Sequence, residues 1–150
     1  MNPVLIGMNN PLSQRPEYAL WPDPPGCTGH RIWQMLASRT GASTHDYIRS
    51  FDRRNLVVGQ WDRKAAQAEA RRLMASGELR GRIVVLLGDK VREAFRLDKY
   101  LIHPQLVDGV MFRQLPHPSG LNRWYNEPVN VSMAGMLLAD LYEEVKKCAA

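Results

Sequence analysis

"GRIVVLLG", residues 81–88, decides the fold. From Ile83 to Leu87 the run holds five branched aliphatic residues with no polar position among them. A half-exposed strand alternates apolar and polar residues, so a strand without alternation buries both faces, as a central parallel strand does. It passes directly into "DKVREAFRL", 89–97, which reads as a helix. Upstream, "NLVVG" (55–59) reads as a short buried strand, followed by the helix "DRKAAQAEARRLMASG" (62–77) with Asp62 as N-cap and Gly77 at its end. Further upstream lie the apolar strand "PVLIGM" (3–8) and the helix "GHRIWQMLASRTG" (29–41), carrying Ile32, Trp33, Met35 and Leu36 and ended by Gly41. Downstream, "GVMFRQL" (109–115) is the last strand and "NVSMAGMLLADLYEEVKK" (130–147) the closing helix. Strands alternating with helices predict an α/β domain over 1–150: a three-layer α/β/α sandwich around a mainly parallel, four-stranded sheet.

Composition narrows the function classes. At 150 residues and 45% hydrophobic, one domain has length enough to bury a core. No basic segment followed by a long apolar run opens the chain, and no stretch approaches the ~18 apolar residues of a membrane span. Cys27 and Cys148 are far apart and lack histidines at metal spacing. They fit a reduced, cytoplasmic protein and exclude an iron–sulfur cluster, which takes about four ligands. The net charge is +5, and Arg49 to Lys99 holds thirteen Lys/Arg against seven Asp/Glu. A basic domain suggests a polyanionic partner, DNA or RNA above all, although "RKAAQAEARRLM" also reads as a helix whose charges face water. No repeat or low-complexity segment is present, and "RPEYALWPDPPG" (15–26) reads as an ordered loop.

Two polar loops should share one edge of the sheet, because ligands of open α/β sheets bind outside the carboxyl ends of the strands. "GMNNPLS" (7–13) follows the first strand, and "PHPSGLNRWYN" (116–126) follows the last. Taken singly, Asn9, His117 and Ser119 have ordinary roles as turn or cap residues. Together, at two strand ends, they make a site the better reading.

These two loops resemble the signature motifs of the uracil-DNA glycosylase superfamily. "GMNNPLS" is similar to the G-I-N-P-G-L-S and G-M-N-P-G loops of its mismatch-specific and single-strand-selective branches, and "LPHPSGLNR" to N-P-S-G-L-S-R with the histidine of the H-P-S branches. The likeness extends over nearly the whole chain, with "GHRIW" at the first helix and "VVLLG" at the strand before L-G-x-x-A. Asn10 stands where the family has proline, and Pro11 where it has glycine.

The resemblance implies a DNA glycosylase that flips a pyrimidine nucleotide into a pocket and hydrolyses its N-glycosidic bond. Asn9 takes the catalytic polar position; a carboxamide is no base, but it can hold a water on the anomeric carbon. His117 would donate to pyrimidine O2 as negative charge grows there. Gly7 and Met8 would line the base, Trp21 or Tyr18 would stack on it, and Asn55 would read it, donating to O4 and accepting from N3–H. Leu121 would fill the gap left by the flipped base, Ser119 and Arg123 would contact flanking phosphates, and Gly120 would lie with them on the DNA. Trp124 and Tyr125 extend this surface or pack the last helix. The implied protein is a monomer that needs no cofactor and no metal. Two other classes stay open: a glycosylase-like domain that binds a flipped base without hydrolysis, and a small nucleotide-binding module. A glycine-rich phosphate cradle would favour the second, and "GMNN" is too poor in glycine for one.

Overall fold

The computed structural model describes residues 1–11, 13–100 and 103–149, so Leu12 of the first motif lies outside the described residues. The elements are β1 (Val4–Gly7), α1 (Thr28–Thr40), α2 (Thr44–Ser50), β2 (Asp52–Asn55), α3 (Arg63–Ser76), β3 (Ile83–Leu87), α4 (Asp89–Ala94), β4 (Gln105–Val107), β5 (Val110–Leu115) and α5 (Pro128–Ala149). Short 3-10 turns occupy Pro16–Tyr18 and Arg123–Asn126. The strands form one sheet in the order β2-β1-β3-β5-β4. The first four run parallel, and β4 lies antiparallel to β5.

The chain is therefore α/β with a mostly parallel sheet, but the sheet has five strands rather than four. The additional strand is β4, joined to β5 by Asp108 and Gly109, both at positive φ. A two-residue Asp-Gly turn of this kind matches the twist of the strands it joins.

β3 sits at the centre, and its side chains divide between two apolar clusters. Val85 and Leu87 join Leu5, Leu115, Leu36 of α1, Tyr47 of α2 and Leu138 of α5. Val84 and Leu86 join Val4, Ile6, Phe112, Leu73 of α3 and Val91 of α4. All four β3 side chains from Val84 to Leu87 are fully buried. Each such side chain contributes about 1.5–3 kcal/mol of burial.

The helix signals act where the sequence places them. Asp62 Oδ1 accepts from Lys64 N and Ala65 N, and Gly41 and Gly77 close α1 and α3 in the left-handed conformation. Two boundaries and one element differ. The second strand is Asp52–Asn55, not 55–59, because it is an edge strand on which Arg53 and Arg54 lie half-buried. The apolar residues after it leave the ladder to cover the core: Leu56 and Val57 are buried and Val58 is exposed. α4 stops at Ala94 rather than continuing to 97; Arg96 takes positive φ, and Arg92 donates to Leu97 O at 2.8 Å. α2 is an additional helix, started by a capping box between Ser43 and Asp46.

Candidate functional site

The parallel register sets which loops meet. Gly7 pairs with Asn55, and Leu87 with Leu115, so Asn9, Asn55, Gly88 and His117 all lie at the carboxyl edge. β3 lies between β1 and β5, however, which separates the Asn9 loop from the His117 loop by two strand spacings, ~10 Å. Two clefts result. Asn9, Asn10, Tyr18, Trp21 and Asn55 line one of about 460 Å³, with Ser119 and Gly120 at its rim. His117 and Met8 line the other, of about 340 Å³, together with Gly88, Lys90, Lys99 and Trp124. The structure thus gathers most of the sequence-predicted residues into the first cleft and places His117 and Met8 in the second.

In the first cleft the two adjacent amides do different work. Asn9 Nδ2 donates to Gly59 O at 2.7 Å, and its Oδ1 accepts no hydrogen bond from a described residue. Asn10 Nδ2 donates to Tyr18 O at 3.0 Å, tying the first loop to the aromatic one. Asn55, the last residue of β2, has a buried Oδ1 without a hydrogen-bond partner. It lies against Gly7, where a Cβ would come within 2.9 Å of that oxygen and 3.0 Å of Leu20. Gly7 therefore leaves the room that the Asn55 amide occupies. A buried polar atom left unpaired costs about 1–3 kcal/mol.

The aromatic wall is held from behind. Tyr18 and Trp21 meet edge to face at 5.1 Å. Arg53 lies over the Trp21 ring at 5.4 Å and donates to Ala19 O at 2.7 Å. Tyr47 OH donates to Leu20 O at 2.9 Å, and burial pushes that phenol up in pKa. Gly29 packs so closely that a Cβ would meet Trp21 O at 2.1 Å. This contact brings the N-terminal turn of α1, Cys27 to Gly29, onto the cleft wall.

The loop after β5 is braced by its own hydrogen bonds: Ser119 N and Asn122 Nδ2 donate to His117 O, and Tyr125 OH donates to Pro116 O at 2.7 Å. Trp124 and Tyr125 pack against the core, so they support the loop. Beyond Ser119 and Gly120, Leu121 stands 94% exposed, and Arg123 is exposed beside it. In the second cleft the His117 imidazole makes no hydrogen bond to a described residue. Burial and the Lys90 ammonium hold it below the usual imidazole range.

A third cleft, about 500 Å³, runs along β2 and shares Asn10 and Asn55 with the first. Three of its arginines are ion-paired, Arg54 with Glu69 and Glu78 at 3.4 and 3.2 Å, Arg82 with Asp52 and Arg15 with Glu17, and Arg53 donates to the Ala19 carbonyl. Of the thirteen Lys/Arg between residues 49 and 99, five are ion-paired among the described residues: Arg54, Arg72, Arg82, Arg92 and Lys99. Among the described residues no three His, Cys, Asp or Glu side chains gather as a metal site, and no helix is long and apolar enough to cross a membrane. Sequence reasoning missed Lys90, Lys99 and Arg53; nothing in their local spacing distinguishes them from solvated charges.

No protein-family model matches the chain, and no curated protein matches it.

Proposed function

We propose that the chain is a DNA glycosylase with a three-layer, uracil-DNA glycosylase-like fold, which hydrolyses the N-glycosidic bond of a flipped uracil or related pyrimidine. The observation that carries this reading is Asn55. Neither end of its carboxamide is bonded to a described residue, and it lines the same cleft as Asn9, Tyr18 and Trp21. The buried oxygen beside Gly7 would gain a partner if the amide turned it toward a ligand in the cleft. An imide, with one N–H between two carbonyls, presents the complement: N3–H to Oδ1 and O4 to Nδ2. Cytosine offers no N–H at that position and would leave Oδ1 unpaired.

The chemistry follows from the groups around it. Asn9 Oδ1 accepts from a water and aims it at the anomeric carbon. The water oxygen bonds to that carbon as the C–N bond breaks, the bonding pair leaves with the base, and the water's surplus proton passes to solvent, from which the departed anion is protonated. The departing pyrimidine is anionic. The α1 N-terminal turn at Thr28 and Gly29 offers it the positive end of the helix. Leu121 occupies the gap in the stack, where an almost fully exposed aliphatic side chain gains by burial.

Binding without hydrolysis is the second reading, favoured by the first loop. Asn9 Nδ2 is committed to Gly59 O, and Asn10 replaces the family's proline. One assay tests both: single- and double-stranded oligonucleotides carrying uracil, mismatched thymine or hydroxymethyluracil, scored for binding and for abasic sites. Abasic product from a uracil-class lesion supports hydrolysis. Lesion-selective binding without product supports the second reading, and no selectivity at all ends both.

A further inference from the structure

We propose that the His117 pocket is a binding site for a phosphate group, separate from the base cleft. It lies at the carboxyl ends of β3 and β5, lined by Gly88, Asp89 and Lys90 after the first and Pro116 and His117 after the second, with Met8 from the end of β1 at its side. Met8 puts one side of the pocket at the switch point, where the chain has left β1 for β2 before crossing to β3, the place where open α/β sheets bind ligands.

The pocket carries an excess of positive charge. Asp89 is its one carboxylate, and it is engaged by Lys99 at 3.4 Å and Arg92 at 3.6 Å. Lys90 has no ion pair or hydrogen bond to a described residue. The unbonded His117 imidazole faces the same space and, when neutral, can donate one N–H to an oxyanion. Met8, Pro116 and Trp124 supply apolar walls, which strengthen a charge interaction by excluding water. Gly88 keeps the floor open: it has positive φ, and a Cβ there would come within 3.1 Å of the His117 Cβ.

A cationic, apolar-walled pocket of this size accepts a phosphoryl oxyanion attached to a larger group. The two clefts flank one loop, with Ser119 and Gly120 in the first and His117 and Asn122 in the second. A strand whose base enters the first cleft would therefore lay a neighbouring phosphodiester in the second. The source of the phosphate rests on the glycosylase reading; the pocket's preference for phosphate does not.

Titration of the isotope-labelled full chain with inorganic phosphate tests the pocket by NMR. Saturable shifts are expected at the His117 ring nitrogens and the Gly88 and Lys90 amides, with Asn55 unmoved. Lys90→Ala should weaken binding by about tenfold, the scale of one charge-assisted contact, whereas Lys90→Arg should retain it. No saturable shift at His117, or equal binding by Lys90→Ala, overturns the proposal. The second arm adds an oligonucleotide with an uncleavable deoxyuridine analogue. Displacement of phosphate together with a shift at Asn55 identifies a nucleic-acid strand as the source. If phosphate binds and the oligonucleotide moves neither site, the pocket stands and the glycosylase reading falls. An oligonucleotide with uncharged methylphosphonate linkages that still displaces phosphate overturns the pocket's dependence on charge.

Discussion

Gly7 and Asn55 are register partners at the carboxyl ends of β1 and β2, and the buried Oδ1 of Asn55 fills the space beside Gly7 that a side chain would take. On the proposed function, the pair would link backbone geometry to base selection. Asn55→Ala removes an unpaired buried oxygen, so the folded state should gain up to about 1 kcal/mol while selectivity for uracil is lost. Gly7→Ala should cost about 1–3 kcal/mol by crowding Asn55 and Leu20. Urea denaturation and lesion-binding titrations on both variants check this; an Asn55→Ala protein that is destabilised and still selective would refute it.

Asn9 and Asn10 should separate chemistry from stability. In single-turnover assays Asn9→Ala should lose roughly 100-fold in cleavage rate while binding lesion DNA, the scale of a misplaced nucleophile. Asn10→Ala should lose the bond to Tyr18 O and about 1 kcal/mol of stability, with a smaller effect on rate. The reverse pattern would place Asn10 at the scissile bond.

Leu121 and Arg123 should matter to DNA and not to folding. Leu121 is almost fully exposed, so Leu121→Ala should change stability by less than about 0.5 kcal/mol. Duplex binding should weaken in both alanine variants. For Arg123→Ala the log–log salt slope should flatten by about 0.9, one released counterion. Anisotropy titrations at several salt concentrations read both effects.

His117 should make the fold sensitive to mild acid. Burial first and Lys90 second lower its pKa in the folded state, so between the unfolded value, about 6.5, and the lower folded one the unfolded chain binds more protons. Its contribution to stability is present above that unfolded value and is lost as pH falls through the folded one. His117→Gln should flatten this acid limb of the denaturation midpoint against pH; an unchanged profile would show that the imidazole titrates as if unfolded.

The central strand was legible because Ile83 to Leu87 state their own burial. The edges were less so. β2 is "DRRN", whose arginines lie half-buried on an edge strand, so the apolar "LVV" beside it looked like the strand instead. β4 is only three residues long, although "VDGV" carries a readable hairpin turn, and α2 carried a readable capping box in Ser43 and Asp46. At the site, a strand end sufficed to place Asn9; Asn55, Tyr18 and Trp21 were named from the resemblance, and Asn55, read as the start of a strand, in fact ends β2. The separation of His117 from Asn9 was hidden, because it depends on β3 inserting between β1 and β5, and lateral strand order is set by long-range packing rather than local spacing.

The charged rim at β2 also bears on the exposed edge of the sheet. An outer strand exposes unpaired backbone groups that can template another chain. Here Arg54 is held by Glu69 and Glu78, and Arg82 by Asp52, so an approaching strand would have to desolvate and disrupt those ion pairs. The opposite rim, β4, carries Leu106 at 69% exposure but is too short to offer a long template. Replacing Arg54, Glu69 and Glu78 together with neutral residues should therefore leave a folded chain that self-associates and scatters light at concentrations where the parent stays dispersed.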